Sequence, residues 1–136
     1  MKTLFLDDDE TRQSIFFRNW LKFKKDGDVL VQTRTVEETI DALKTQGPFD
    51  LVDLDHDLGG KTFVKEIEGT GYQVALFIET ELDASLMPKH AIVHSYNPEG
   101  ARRMMESLAK KITSVQFIPF GSKKDPGSEL YTIEIN

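Results

Sequence analysis

The stretch LVDLDHDLGG, residues 51–60, places three aspartates and a histidine at the end of a short apolar run. The apolar part is typical of a buried strand, whereas aspartate is among the side chains that are most costly to bury. In open parallel sheets, ligand sites lie beyond the carboxyl ends of the strands. The stretch therefore predicts a strand that delivers Asp55, His56 and Asp57 to a functional edge of a sheet.

The composition limits the class of protein. The chain has 136 residues, a formal net charge of -6 and no cysteine. This length supports one domain with its own core, and the lack of cysteine excludes a cysteine nucleophile and fits a reducing cytoplasm. The negative charge argues against binding to duplex nucleic acid, and no apolar run has membrane-span length. We expect a cytoplasmic protein that acts away from the membrane.

Apolar extended runs alternate with helical patterns along the chain. The predicted strands are residues 3–6, 28–34, 49–54, 90–93 and 115–118, and the predicted helices are residues 10–23, 37–46, 72–81 and 98–112. This alternation indicates an α/β fold with a doubly wound parallel sheet and helices on both faces. The first helix carries six large apolar residues, which predicts a wide buried face.

Two acidic segments resemble the response-regulator receiver domain: LFLDDDE, residues 4–10, and FDLVDLD, residues 49–55. The resemblance extends over residues 2–120, the core of a single domain 1–136, and implies a flavodoxin-like sheet of about five strands. It also implies that Asp7 and Asp8 bind magnesium and that Asp55 takes the place of the phosphoryl acceptor. Ser95, which follows the fourth strand, matches the hydroxyl residue of the receiver.

The chain departs from the receiver pattern in two places. Ile118 in QFIPF stands where a signalling receiver has a lysine, so the ordinary phosphorylation switch is not expected. The final receiver helix is replaced by an extension, residues 121–136, whose end alternates like a strand with Tyr131, Ile133 and Ile135 on one face. The first helix, or a second subunit in a homodimer, would then cover that side of the sheet.

Three segments are similar to a narrower group, the cyclic-phosphate processing receiver-like domains. These domains share an LDHDL segment, a Thr-Gly pair before the third helix and an H-S-x-N-P-x-G-A segment, found here at residues 54–58, 70–71 and 94–101. The resemblance implies hydrolysis of a cyclic phosphate. The substrate would be a 2',3'-cyclic phosphate at an RNA end or a small cyclic nucleotide.

The acidic residues predict a divalent metal at the sheet edge, because carboxylates that meet there repel one another. The candidate ligands are Asp7, Asp8, Asp55 and Asp57. Oxygen ligands favour magnesium or manganese rather than zinc, although a nearby histidine would favour manganese, zinc or iron. A simpler interpretation is that residues 7–9 cap the first helix, which we expect for Asp9. Asp53 is expected to point away from Asp55 or lie at a wet edge, without a role.

Two histidines are candidate catalytic residues. His94 follows the fourth strand and is a metal ligand or a general acid, unless a backbone carbonyl holds it as a structural residue. His56 lies between two aspartates and is either part of the same site or turned outward.

Phosphate binding has its own candidates. Helices that begin after Thr70 and after Asn97 offer free amides and a positive dipole end to an anion. Arg102 or Arg103 could reach a phosphate from the latter helix, or else lie solvated on the surface. We therefore predict a metal-dependent phosphodiesterase with Asp55 and His94 at its centre, or alternatively a noncatalytic module that binds a nucleotide or a protein partner.

Overall fold

The computed structural model describes residues 1–58 and 69–120 and contains a five-stranded parallel sheet with the strand order β2-β1-β3-β4-β5. The strands are β1 (Lys2–Leu6), β2 (Val29–Thr33), β3 (Leu51–Leu54), β4 (His90–Val93) and β5 (Ser114–Phe117). The helices are α1 (Glu10–Phe23), α2 (Val36–Thr45), α3 (Gly71–Thr80) and α4 (Pro98–Ala109), with a short 3₁₀ helix at Ala84–Leu86. The doubly wound α/β fold predicted from the sequence is confirmed.

Local sequence signals set the ends of the helices. Asp9 precedes α1, and its carboxylate accepts the backbone N–H of Arg12, as predicted. Thr35 accepts the N–H of Glu38 before α2, and the Glu38 carboxylate accepts the N–H of Arg34. These side chains satisfy backbone donors that have no partner within the helix.

The sheet separates two apolar clusters. The larger one packs α2, α3 and α4 against one face through residues such as Leu54, Ile78 and Met104, all of them fully buried. The smaller one packs α1 against the other face through Phe5 and Phe16, whose stacked rings lie 4.0 Å apart. None of the described helices is long and apolar enough to cross a membrane.

The prediction of a wide buried face on α1 is wrong. Gln13 and Phe16 are the buried residues of this helix, whereas Phe17, Leu21 and Phe23 are each more than 40% exposed. The helix contacts the sheet along a narrow stripe, in which Phe16 stacks on Phe5 and the Gln13 side-chain amide donates to the carbonyl oxygens of Asp7 and Thr33. The predicted extension, residues 121–136, and the strand at its end lie outside the described residues.

The register of the strands builds the functional edge. Leu6 pairs with Leu54, and Leu54 pairs with Val93. The next residue of each strand therefore emerges at the same height on three neighbouring strands. These residues are Asp7, Asp55 and His94.

Candidate functional site

Asp7, Asp55 and His94 form a buried cluster at the carboxyl edge of the sheet. Each offers one ligand atom, and these atoms all lie within 4.8 Å of one another. All three residues are 5% exposed or less. Together with Asp53 and Arg12, whose contacts follow, they are called the edge cluster below.

His94 lies between two carboxylates. With both ring nitrogens protonated, Nδ1 donates to Asp53 Oδ1 at 2.5 Å and Nε2 donates to Asp7 Oδ2 at 2.9 Å. The ring stacks on Phe5 with the ring centres 4.9 Å apart. Burial would lower the pKa of His94, but the charge and hydrogen bond of Asp53 and the hydrogen bond of Asp7 outweigh it and raise the pKa well above 6.5. Carboxylates, rather than a backbone carbonyl, orient this histidine.

The expectation that Asp53 points away from the site is wrong. Its side chain is fully buried on the α1 side of the sheet and holds the Nδ1 of His94. Residues i and i+2 of a strand lie on the same face of the sheet, so Asp53 and Asp55 are expected on the same side. Burial raises the pKa of Asp53, although the charge of His94 opposes this rise. Strand periodicity alone was sufficient to predict this position.

Arg12 is a site residue that sequence reasoning missed. It lies in the first turn of α1, and its Nε and Nη2 donate to the two oxygens of Asp7 at 2.7 and 2.9 Å. Its Nη2 also lies 3.7 Å from Asp55 Oδ2. Burial works against the charge of Arg12, but the hydrogen bonds and charge of Asp7 raise its pKa. A basic residue three positions after a helix cap at this edge is the sequence signal that would have found it.

The charges of the edge cluster nearly balance. Burial alone would raise the pKa of Asp7, yet the hydrogen bonds from His94 and Arg12 hold it below 3.8. Burial raises the pKa of Asp55 from 3.8 to about 7, and the charge of Asp7 adds to the rise. The three carboxyl groups of the cluster thus face two cations, Arg12 and His94. These cations relieve much of the repulsion between the carboxylates, for which the sequence analysis expected a metal.

His56 and Asp57 form a separate buried group behind Asp55. The ring Nδ1 of His56 lies 2.6 Å from Asp57 Oδ1, to which the side-chain amide of Asn97 donates at 3.2 Å. The alternative that His56 turns outward is wrong, since it is 2% exposed. A Cβ at Gly100 would lie 2.6 Å from the His56 ring, so the close packing requires glycine there. Asp57 is therefore placed to hold His56 and is outside the group of three ligand atoms.

The predicted phosphate ligands occupy different surroundings. Asn97 caps α4 by accepting the N–H of Gly100, and the Ser95 hydroxyl accepts the N–H of Asn97. Thr70 precedes α3 and is buried, but its hydroxyl forms no capping hydrogen bond within the described part of the chain. Arg102 is exposed.

Arg102 donates to Glu99 and Glu106 of its own helix, on the solvent side of α4. Asp8 is half-buried and lines a shallow cavity of about 440 Å³ together with Arg34 and Thr35. No described contact joins Arg102 to the edge cluster, and Asp8 is not among its three closely spaced ligand atoms. Of the four predicted metal ligands, the structure brings together Asp7 and Asp55.

The donor set of the edge cluster fits a divalent ion. Asp7 and Asp55 supply carboxylate oxygens. The Arg12 guanidinium is the described cation nearest to Oδ2 of Asp55, and it lies 3.7 Å away, so this oxygen has room for a shorter bond to a metal. Such oxygen ligands suit magnesium and manganese, whereas the His94 ring donates from both nitrogens and has no free lone pair for a metal.

Comparisons with known proteins agree with this architecture. A family model described as "Cyclic-phosphate processing Receiver domain" matches residues 2–110. No curated protein is significantly similar to the chain. A response regulator receiver domain from Rhodospirillum rubrum has a TM-score of 0.66 at 11% identity, over 94% of this chain and 86% of that one.

Two further solved structures are similar in the same way. A CheY-like receiver domain from Methanospirillum hungatei JF-1 has a TM-score of 0.60 at 14% identity, over 88% of this chain and 82% of that one. The Mn(2+)-bound form of response regulator Rcp1 has a TM-score of 0.59 at 16% identity, over 93% and 86%. At these identities the likeness shows the fold.

Proposed function

Because the chain belongs to the cyclic-phosphate processing receiver domain family, we propose that it is a metal-dependent phosphodiesterase that opens a cyclic phosphate. The observation that carries the proposal is the edge cluster. In it, ligand atoms of Asp7, Asp55 and His94 are buried within 4.8 Å of one another, and both ring nitrogens of His94 are hydrogen-bonded to carboxylates. Titratable groups with strongly shifted pKa values, brought together at a sheet edge, are typical of catalytic sites.

Asp7 and Asp55 are the residues that would hold the divalent ion. Magnesium or manganese is the better match to two carboxylates, and one solved receiver structure is of a Mn(2+)-bound form. When bound, the ion supplies Lewis-acid stabilisation of the negative charge on the phosphoryl oxygens. Asp8 and Asp57 remain predicted ligands, with Asp57 instead in contact with His56 in the structure.

His94 is the proton donor. Hydrolysis adds a water oxygen to phosphorus and breaks one ester bond to ribose, and the departing ribose oxygen needs a proton. The raised pKa of His94 keeps Nε2 protonated near neutral pH. Asp53 fixes the ring through Nδ1, so that Nε2 is the nitrogen that faces the cluster.

Asp55 has one of two roles towards the substrate. It attacks phosphorus as the nucleophile, or it orients the water that does so. The rise of its pKa to about 7 is what burial without a bound cation produces. His56 supports this position through its backbone, since its N–H donates to Asp55 Oδ1 at 2.9 Å.

The substrate in this proposal is a small cyclic nucleotide or an RNA end with a cyclic phosphate. In this proposal, Thr70, Ser95 and Asn97 contact the substrate. The protein is also proposed to be cytoplasmic and to form a homodimer. The exposed apolar residues of α1, Phe17 and Leu21, offer a surface on which a second copy could pack.

A noncatalytic binding module is the second candidate. The near balance of charge in the edge cluster favours it, because Arg12 and His94 stabilise the carboxylates without any metal. Such a module would bind a nucleotide and leave it intact.

A substrate panel separates the two candidates. Wild-type protein is incubated with 2',3'-cyclic nucleotides, 3',5'-cyclic nucleotides and RNA ending in a cyclic phosphate, with magnesium, manganese or zinc. Ring opening of one substrate class, lost in Asp55→Asn, supports the phosphodiesterase. Tight binding of a nucleotide without ring opening under any condition would establish the binding module.

A further inference from the structure

We propose that Arg12 binds the phosphate of the substrate, and that it exchanges Asp7 for that phosphate when a divalent ion occupies the edge cluster. This inference rests on the proposed function, because it assigns a phosphate ligand to the same site. It concerns a residue that neither the sequence motifs nor the family resemblance singled out.

Within the edge cluster, Arg12 is the member on the solvent side. Its side chain is 26% exposed, whereas those of Asp7, Asp55 and His94 are 7% exposed or less. Its three donor nitrogens reach three carboxylates: Nε and Nη2 contact Asp7, Nη2 also faces Asp55, and Nη1 lies 3.6 Å from Asp9. A ligand that approaches the cluster from solvent therefore meets the guanidinium at its entrance.

The four strong acceptor positions of Asp7 are fully used. Oδ1 accepts the N–H of Asp9 and the Nη2 of Arg12, while Oδ2 accepts the Nε of Arg12 and the Nε2 of His94. An ionised carboxylate offers about four lone-pair sites. A metal ion that binds Asp7 must therefore displace at least one of these donors.

Arg12 is the donor that is free to leave. His94 is 1% exposed, is held at Nδ1 by Asp53 and stacks on Phe5. The N–H of Asp9 belongs to the backbone just before α1. Arg12 is on a long, flexible stem at the solvent side, and the charge of a divalent ion repels its guanidinium.

The released guanidinium matches a phosphate. Its planar fork donates two parallel hydrogen bonds to phosphate oxygens as well as it does to a carboxylate. Other described arginines near this edge of the molecule have partners of their own, since Arg102 binds Glu99 and Glu106 and Arg34 binds Glu10. The substrate phosphate would thus replace Asp7 as the partner of Arg12.

Two titrations on the full chain test the exchange. Magnesium is titrated calorimetrically into chelator-treated wild type, Arg12→Gln and Arg12→Lys, with Arg18→Gln as the control for an exposed arginine of the same helix. Inorganic phosphate is then titrated into the magnesium-loaded proteins and followed by phosphorus NMR. Thermal melting in chelator shows which variants are folded.

The exchange predicts shifts of opposite sign. Removing the competing cation should tighten magnesium binding by Arg12→Gln about threefold or more, and losing a charged fork should weaken phosphate binding about tenfold or more. Arg12→Lys keeps a charge without the fork, so its phosphate affinity should lie between the two, and Arg18→Gln should match wild type. If Arg12→Gln does not fold, the test is the phosphate affinity of Arg12→Lys, which should be weaker than that of wild type.

Two results would overturn the assignment. Phosphate binding by Arg12→Gln within twofold of wild type would leave Arg12 as a counter-ion of Asp7 and nothing more, and so would the absence of phosphate binding by wild type. Where Arg12→Gln does not fold, phosphate binding by Arg12→Lys equal to that of wild type has the same meaning. The proposed function fails separately: opposite shifts without ring opening of any cyclic phosphate would support the role of Arg12 and refute the phosphodiesterase.

Discussion

Replacement of Asp55 by asparagine should stabilise the metal-free protein at alkaline pH. Burial raises the pKa of Asp55 from 3.8 to about 7, so the folded chain must ionise a carboxyl that resists ionisation. At ~1.4 kcal/mol per tenfold change, this rise corresponds to about 4 kcal/mol. Asparagine removes that cost but does not reproduce every contact of the carboxyl group, and we expect a net gain of about 2 kcal/mol at pH 8.

The sign of the pH dependence follows from the direction of the shift. Between the unfolded and folded pKa of Asp55, the folded chain holds a proton that the unfolded chain has released, so the contribution of Asp55 to wild-type stability falls as pH rises from about 4 to 7. The advantage of Asp55→Asn should therefore be near zero at pH 4, grow through this window and stay constant above it.

Urea unfolding followed by the fluorescence of Trp20, the single tryptophan, measures this difference in chelator and in magnesium or manganese. With metal present, wild type should gain more stability than Asp55→Asn, because the ligand stabilises only the chain that binds it. Asp41→Asn, an exposed aspartate on α2, is the matched control and should follow wild type throughout. A variant that is less stable than wild type in chelator at pH 8 would refute the reasoning.

Three further predictions concern neighbouring positions. Asp53→Asn should lower turnover of a cyclic phosphate about tenfold or more with little change in KM, because it misorients His94; steady-state kinetics checks the split. Gly71→Ala should cost about 2 kcal/mol or more in urea unfolding, since its Cβ would lie 1.8 Å from the Asp55 carbonyl oxygen. With Ile118 in place of a lysine, a small phosphoryl donor with magnesium should leave no lasting adduct in intact-mass spectra, and a stable adduct on Asp55 would restore the signalling interpretation.

Much of the fold was predictable because its signals are local. The alternation of apolar runs and helical patterns predicts five strands and four helices, and Asp9 acts as a cap as its residue type indicates. The exposure of Phe17 and Leu21 was not predictable from periodicity, since a helix with apolar residues around most of its surface does not reveal which stripe meets the sheet.

The residues of the site also differ in how far the sequence predicts them. Asp7, Asp55 and His94 end three strands, and parallel pairing is enough to bring them together. Arg12 pairs with Asp7 and lies near Asp55, and its position three residues after the cap Asp9 is the sequence signal for its place at this edge. The partners of Arg102 lie on its own helix, where charges three and four residues apart attract, so the sequence did contain the reason for its surface position.

The most direct test of the account is the dependence of the His94→Gln defect on the leaving group. If Nε2 of His94 gives its proton to the ribose oxygen, the variant should lose about two to four orders of magnitude in turnover of a cyclic nucleotide. It should lose far less with a bis-aryl phosphate, whose leaving group needs no proton. His90→Gln, at the other end of β4, is the buried-histidine control and should keep wild-type turnover. Equal losses on both substrates, or full activity of His94→Gln on the cyclic ester, would contradict the role of His94 as the acid.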